Sequence, residues 1–403
     1  MDTDAAFARL DEAMGGRIGS GDASSAAWSV RVDGVRHDGA CAATDVREGP
    51  TPGSGTIFRI SSMSKPITAV AAMTLVEEGL VGLADPVDRW LPELAGRRVV
   101  EDPTGPLSRT VPAERSITVD DLLTFRLGLG FDFTSSTAQP VVEAMAELDL
   151  GIGPPAPQVP PEPNEWMRRL ATVPLQFPPG ERWLYHVGAE VLGVLVARVA
   201  GRPLDLVLRE RVLDPLGMAD TGFFVPKGSI HRLGACHVAA DAHPPGDGDR
   251  PGVYDPPEGQ WASRPAFPSG GAGLVSTIDD YMAFASMLLD EGVHGGGHLL
   301  SAESVRQMTT NQLTTDQVAS SGIDPDGLMG WGLGMGVQVH PGGSGSAGNY
   351  GWAGGLGSTW FNDPTHRSIG VLMTDTMWTS PAPPPIFEDF TRWVTAIGSE
   401  TAR

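Results

Sequence analysis

The sequence predicts an α/β fold of the α+β type, in which one antiparallel sheet flanked by helices carries a mainly helical insertion. Patterns typical of strands lie near both ends of the 403-residue chain, and helical patterns dominate the part between them. Strands from the two ends are expected to pair in a single sheet, which leaves the helical part as an insertion. We therefore predict a sheet domain of residues 1–80 together with 265–403, and a helical domain of residues 81–264 with long loops.

The chain is predicted to begin with an amphipathic helix, followed by a hairpin and a third strand. Trp28–Val32 alternates apolar and polar residues, an Asp-Gly turn follows, and the strand pattern resumes at Val35. Thr56–Ile60 is the third strand and leads into SSMSKPITAVAAMTLVEEG, residues 61–79. This segment is apolar on nearly every side, starts with serine and proline and ends at glycine, as expected of a buried helix.

Signals for helix starts recur in the middle of the chain. Asp85-Pro86 is expected to open one helix, and Thr118, with Asp121 three residues later, to open another. Gly188–Gly201 carries leucine and valine along one face, which indicates a third helix.

Two stretches of the same region are too long to be plain connections. Residues 153–163 are rich in proline, and residues 241–259 are acidic and rich in proline and glycine. Each stretch is either a pocket wall or lid, or a solvated excursion on the surface.

The pattern changes again after residue 265. A helix is predicted from Thr277 to Gly292. Three strands and a final amphipathic helix are then predicted at Gly332–Val339, Ser358–Asn362, Ser368–Asp375 and Pro385–Gly398. These strands supply the C-terminal part of the predicted sheet.

Composition excludes several classes of function. A formal charge of −21 repels nucleic acid, and the apolar runs are too short to span a membrane. The N-terminus carries acidic residues where a signal peptide needs basic ones, so we expect a cytoplasmic protein.

Two cysteines without a CxxC spacing indicate reduced thiols. Three glycines separate His294 from His298, a poor arrangement for metal ligands, and we predict neither a metal nor another cofactor.

Lysine usage is the sharpest chemical signal in the sequence. Of the 28 basic residues only Lys65 and Lys227 are lysines, and Lys65 lies in the buried-looking segment. A buried lysine can lose its proton at neutral pH, whereas arginine cannot. Ser62 lies three residues before Lys65, so on a helix the hydroxyl and the amine share one face within hydrogen-bond reach.

Two further motifs, one typical of α/β-hydrolases and one of dinucleotide-binding proteins, do not fit this sequence. The chain contains no Gly-x-Ser-x-Gly, which disfavours an α/β-hydrolase. Residues 343–348 match Gly-x-Gly-x-x-Gly, but no helix pattern follows them, so we predict a flexible loop between strands.

The segment FRISSMSKPIT, residues 58–68, resembles the nucleophile segment of the serine β-lactamase-related family, in particular the class C β-lactamase-like esterases called family VIII carboxylesterases. The likeness extends over residues 20–395, through LADPV, DLLTFRLGL, FPPGERWLY, DPLGM and PSGGAGLVST, in the family's order. The resemblance implies a β-lactamase/transpeptidase-like fold, with a site between the sheet and the helical insertion. It also implies a two-step acyl transfer on Ser62.

The resemblance also implies roles for residues far from Ser62 in the sequence. The family's second motif, Tyr-x-Asn, falls on Tyr185, whose phenolate would be stabilised by Lys65 and take the Ser62 proton; Val187 stands in place of the Asn. The third motif, Lys-Thr-Gly, falls on Trp352-Ala353-Gly354, so that an apolar wall replaces a cation.

The family's oxyanion hole falls on the backbone N–H groups of Ser62 and Gly355. Trp352 and Gly354 would line the substrate site, with Arg126 and His186 as substitute anchors.

These features predict a carboxylesterase-type serine hydrolase whose partner is a small-molecule ester. With the same site, the chain is alternatively a β-lactamase, a D-amino-acid peptidase or an acyltransferase. From a different class, it is a penicillin-binding sensor that is acylated and does not turn over.

Overall fold

The structure is a computed structural model that describes residues 3–43, 52–238, 252–324, 326–342, 345–378 and 383–401. The helices of these residues are α1 (Thr3–Gly19), α2 (Ser64–Glu77), α3 (Val119–Leu123), α4 (Pro140–Glu147), α5 (Pro163–Ala171), α6 (Val187–Ala200), α7 (Leu204–Leu208), α8 (Asp214–Leu216), α9 (Ile278–Leu289), α10 (Ala302–Met308), α11 (Thr315–Ala319) and α12 (Pro385–Thr401).

The strands are β1 (Ser25–Val32), β2 (Val35–Ala42), β3 (Phe58–Arg59), β4 (Arg98–Val100), β5 (Thr110–Pro112), β6 (Cys236–Val238), β7 (Val253–Asp255), β8 (Val275–Ser276), β9 (Val293–His294), β10 (Gly297–His298), β11 (Met329–Trp331), β12 (Gly336–Gln338), β13 (Tyr350–Gly354), β14 (Ser358–Asp363), β15 (Ser368–Thr374) and β16 (Thr376–Met377). The predicted stretch 241–259 lies for the most part outside the described residues.

Seven strands form one antiparallel sheet in the order β11-β12-β13-β14-β15-β1-β2. Ala26 of β1 lies opposite Thr374 of β15, and Val32 lies opposite Ser368, so the N-terminal hairpin joins the C-terminal strands directly. The prediction of an α+β fold with one antiparallel sheet built from both ends of the chain is therefore confirmed.

Helices cover both faces of this sheet. On one face α1 and α12 pack against β1 through a cluster that includes Phe7, Trp28 and Phe390. On the other face lie α2 and α9, which belong to the main core. Every residue from Ser64 to Leu75 is buried, as the apolar character of the segment predicts.

Two predictions in the helical region are confirmed by their local chemistry. The Thr118 side chain accepts a hydrogen bond from the Asp121 N–H, and the Asp121 carboxylate accepts from the Thr118 N–H, which forms the capping box that starts α3. Helix α6 ends at Gly201, which adopts the left-handed conformation with φ +65°.

One predicted helix is wrong. Instead of a full helix, the residues after Asp85-Pro86 form two separate 3₁₀ turns, Val87–Arg89 and Pro92–Leu94. The reason is that the Val87 N–H bonds to the carbonyl oxygen of Ile117 at 2.9 Å, which commits this backbone to a neighbouring segment.

Two predicted strands differ in extent. Thr56–Ile60 contributes only β3, which pairs with β8 outside the main sheet. Gly332–Val339 does not form one strand, because Gly334 adopts φ +85° and turns the chain between β11 and β12. In the described parts of the chain, no helix combines the length and apolar character needed to span a bilayer.

Candidate active site

Ser62 lies in a one-turn 3₁₀ helix, Ser61–Met63, between β3 and α2. Its neighbours Ser61 and Met63 are buried, whereas Ser62 itself is partly exposed. Ser61 adopts φ +45°, a left-handed conformation that costs a residue with a side chain about 1–3 kcal/mol. The strained turn leaves the Ser62 hydroxyl accessible at the start of a buried helix.

Lys65 contacts Ser62 from the next turn of the chain. The Lys65 Nζ lies 2.9 Å from Ser62 Oγ, 2.7 Å from the Gly271 carbonyl oxygen and 3.3 Å from His186 Nδ1. Burial lowers the pKa of Lys65 to about 7, although the Glu190 charge acts in the opposite direction. Near neutral pH the amine is therefore available as a base.

Tyr185 is the second side chain that contacts Ser62. Its hydroxyl is hydrogen-bonded to the Ser62 side chain and accepts a 2.7 Å hydrogen bond from Trp352 Nε1. Burial raises the pKa of Tyr185 to about 12, against the effect of these two hydrogen bonds. The Lys65 Nζ lies 4.6 Å from the centre of the Tyr185 ring. Tyr185 is therefore a neutral phenol at neutral pH, which differs from the phenolate implied by the resemblance.

Strand β13 brings Trp352 and Gly354 to the same place. The Trp352 ring packs edge-on against Trp331, with centroids 4.6 Å apart. A Cβ at Gly354 would lie 2.2 Å from the Ile60 carbonyl oxygen, so only glycine allows β13 to come this close to the nucleophile turn. Gly354 therefore allows the two backbone segments to lie in close contact.

The backbone groups named as oxyanion donors lie on these two segments. Within the described ranges, neither the Ser62 N–H nor the Gly355 N–H donates to a protein acceptor. A Cβ built at Gly355 meets no atom within 4 Å, so this residue borders open space. Two unoccupied donors of this kind are what an oxyanion hole requires.

The structure does not bring Arg126 to this cluster. Its guanidinium binds the Asp120 carboxylate at 2.8 Å, Thr124 Oγ1 at 3.0 Å and the Gln317 side-chain oxygen at 3.3 Å. Because these partners already engage its nitrogens, Arg126 makes no contact with Ser62 or Lys65.

His186 also differs from its expected place as a substrate anchor. The residue is 6% exposed, and its imidazole lies against the Lys65 amine instead of in open space. The physical reason is a strained backbone turn at His186, where φ is +85°.

Glu190 and Ser269 were missed by the sequence analysis. The Glu190 carboxylate is 4% exposed and accepts a 2.6 Å hydrogen bond from Ser269 Oγ. The signal that points to it is an acidic residue inside VGAEVLGVLVARVA, a helix that is otherwise apolar over its first ten residues. Among the described residues, no three His, Cys, Asp or Glu side chains are grouped to hold a metal ion.

Residues 5–384 match the family model described as Beta-lactamase, and the chain belongs to that family. Protein Rv1367c of Mycobacterium tuberculosis (strain ATCC 25618 / H37Rv) is 39% identical over 329 residues, which cover 80% of this chain and 78% of that protein. Esterase EstB of Burkholderia gladioli is 32% identical over 343 residues, with the same two coverages of 80% and 78%.

Solved structures show the same fold. EstCE1, a hydrolase with promiscuous acyltransferase activity, superposes with a TM-score of 0.77 at 23% identity and covers 98% of this chain and 100% of its own. The fold is therefore of the β-lactamase/transpeptidase type. The similarity to esterase EstB supports serine hydrolase activity in the broad sense.

Proposed function

We propose that the protein is a carboxylesterase-type serine hydrolase that cleaves small carboxylic esters through an acyl-enzyme on Ser62. The observation that carries the proposal is the Ser62 hydroxyl, which contacts both the Lys65 amine, at 2.9 Å, and the Tyr185 phenol. A nucleophile between a base and an acid is the arrangement that covalent acyl transfer needs. The similarity to esterase EstB supports the choice of an ester.

In the first step, the neutral Lys65 amine accepts the Ser62 proton while Oγ forms a bond to the ester carbonyl carbon. The carbonyl oxygen becomes an oxyanion, and in this proposal the N–H groups of Ser62 and Gly355, which have no backbone acceptor among the described residues, stabilise it. A donor of this kind contributes about 3–4 kcal/mol to the transition state.

In the second step, the bond between the carbonyl carbon and the leaving oxygen breaks, and the Tyr185 phenol gives that oxygen a proton. The proton held by Lys65 then restores the phenol, so the alcohol leaves with the proton that Ser62 lost. Water then reverses the sequence: its oxygen bonds to the acyl carbon, the bond from that carbon to Ser62 Oγ breaks, one water proton passes to Oγ, and the carboxylic acid is released.

The walls of the site favour uncharged substrates. The Phe133 ring lies 5.1 Å from the Tyr185 ring and is 49% exposed, so it presents an apolar surface near the phenol. Trp352 gives the Tyr185 hydroxyl a neutral N–H where a lysine would give a cation. A carboxylate on the substrate, as in a β-lactam, therefore meets Trp352 and not a lysine at this position of the site.

The test compares two serines of the same turn. Ser62→Ala should abolish hydrolysis of p-nitrophenyl acetate, and mass spectrometry of the quenched wild-type protein should find the acetyl group on Ser62. Ser64 is the matched control, because its hydroxyl donates to the Ser61 carbonyl at 2.6 Å and accepts from the Leu274 N–H at 3.1 Å. Ser64→Ala should lower the free energy of unfolding by about 1–3 kcal/mol and keep the acyl-enzyme.

Three results would contradict the proposal. Hydrolysis by Ser62→Ala, or an acetyl group on another residue, would remove Ser62 as nucleophile. A lasting adduct with nitrocefin, together with no turnover of any ester, would instead indicate a penicillin-binding sensor.

A further inference from the structure

His186 adopts a rare backbone conformation immediately after Tyr185. Its φ of 85° and ψ of −60°, together with a 3.2 Å hydrogen bond from the Val187 N–H to the Tyr185 carbonyl, define a γ-turn of the strained type. Such a conformation costs a residue other than glycine about 1–3 kcal/mol and persists only where its surroundings enforce it. The turn places the imidazole against Lys65.

The imidazole links Lys65 to a buried carboxylate. His186 Nδ1 lies 3.3 Å from Lys65 Nζ, and His186 Nε2 lies 3.3 Å from Glu190 Oε1. Burial, and then the Lys65 charge, hold the pKa of His186 well below its usual range, so the ring is neutral. A neutral ring that accepts from the ammonium at Nδ1 carries its hydrogen at Nε2, which lies near Glu190 without forming a hydrogen bond to it.

Glu190 is a costly residue to bury, and Lys65 is its charge partner. Burial raises the pKa of Glu190, whereas the hydrogen bond from Ser269, the Lys65 charge and the backbone at Gly271 and Gly270 act against this. A Cβ at Gly271 would lie 2.7 Å from Glu190 Oε1, so glycine lets the segment that holds Lys65 close over the carboxylate. The titratable side chains that face Lys65 in the described structure are Tyr185, His186 and Glu190.

The proline-rich stretch covers this pair. His186 and Glu190 line a cavity of about 20 Å³ whose other wall includes Gly151, Pro155 and Pro160. The stretch 153–163, which the sequence left open as a pocket wall or a surface excursion, therefore lines a cavity at His186 and Glu190, and Ser62 is not among the lining residues. In this enclosed position, the charge on Glu190 acts on Lys65 with little screening by solvent.

We propose that Glu190 is a positioning residue that, through His186, stabilises the protonated form of Lys65 and so sets the pH range in which Lys65 acts as a base. The role of Lys65 as a base rests on the proposed ester hydrolysis, whereas the effect of Glu190 on the protonation of Lys65 does not depend on that function. Glu190 touches neither Ser62 nor the substrate side of the site, and its effect is exerted on the amine alone.

The scarcity of lysine allows a direct test. Protein labelled with ¹³Cε-lysine gives two signals, from Lys65 and Lys227, and the Lys227→Arg variant assigns them. The Lys65 signal should titrate near pH 7 in the wild type. Glu190→Gln removes the charge and keeps the shape, so we expect the Lys65 midpoint to fall by about one pH unit.

Three further variants separate charge from structure. Glu190→Asp keeps the charge and should keep the midpoint near the wild-type value. His186→Asn tolerates the positive φ but is too short to reach Glu190, so it should lower the midpoint as well. The matched control is Glu93→Gln, which breaks the 2.8 Å ion pair with Arg198 at the far end of α6 and should leave the midpoint unchanged.

The pH profile of kcat/KM gives the functional readout. Its acidic limb should move to lower pH in Glu190→Gln by the same amount as the lysine midpoint. An unchanged or higher Lys65 midpoint in Glu190→Gln would overturn the proposal, and the midpoint in His186→Asn decides if Glu190→Gln does not fold. A shifted midpoint in protein without esterase activity would support the role of Glu190 and refute ester hydrolysis.

Discussion

The two sides of Ser62 differ in chemistry: Lys65 is buried, whereas Tyr185 and Trp352 keep some exposure. Behind Lys65 the surroundings are polar, with the Gly271 carbonyl, His186 and Glu190 around the amine. Around Tyr185 they are aromatic, with Trp352 as the hydrogen-bond donor. Burial disfavours the charged form on both sides. Burial therefore lowers the pKa of Lys65 to about 7, so that the amine can act as a base near neutral pH. It raises the pKa of Tyr185 to about 12, so that the phenol keeps its proton and can act as an acid.

The largest expected effect comes from replacing the base. Lys65→Arg keeps the positive charge but cannot release its proton, so we expect kcat/KM for p-nitrophenyl esters to fall by about 10²–10⁴-fold, nearly as far as in Lys65→Ala. Lys227 is exposed, and Lys227→Arg should have no effect. An active Lys65→Arg enzyme would show that the residue acts only as a fixed positive charge. The contrast between a base on the Lys65 side and an acid on the Tyr185 side would then be refuted.

The aromatic side predicts which substrates are turned over. A β-lactam presents an amide and a carboxylate, whereas Val187 offers no amide and Trp352 no positive charge. Each missing contact of this kind costs about 1.5–3 kcal/mol, so short-chain esters should exceed any penicillin or cephalosporin by at least about a hundredfold in kcat/KM. Measuring p-nitrophenyl butyrate and nitrocefin on one preparation tests this. Comparable values would indicate a β-lactamase.

Local spacing was enough to predict one part of the site. Ser62 and Lys65 are three residues apart at a helix start, and their contact at 2.9 Å follows from helix geometry. Tyr185 and Trp352 are far from Ser62 in the sequence, so their roles came from the resemblance to a family. Their hydrogen bond to each other depends on how β13 packs, which spacing does not encode.

The polar side was the harder part to predict. The orientation of His186 depends on a γ-turn that intrinsic propensities disfavour, so tertiary packing decides it. Tertiary contacts also decide those parts of the fold that local patterns do not predict. The long strands of the sheet and α2 follow from hydrophobic patterns, whereas β3 and the turn after Asp85-Pro86 depend on hydrogen bonds to distant segments.

The smallest expected effect concerns the hydrogen bond that orients the acid. Trp352→Phe removes the N–H that binds the Tyr185 hydroxyl at 2.7 Å but keeps an aromatic ring against Trp331. Loss of one neutral hydrogen bond costs about 0.5–1.5 kcal/mol, so kcat should fall by about 2–12-fold while KM for apolar esters changes little. Trp331→Phe is the matched control, because it also loses one indole N–H, which binds the Leu123 carbonyl at 3.1 Å and not the tyrosine. That variant should lower the melting temperature and keep kcat. Equal losses of kcat in the two variants would mean that ring packing, and not the hydrogen bond to Tyr185, is what the aromatic side contributes.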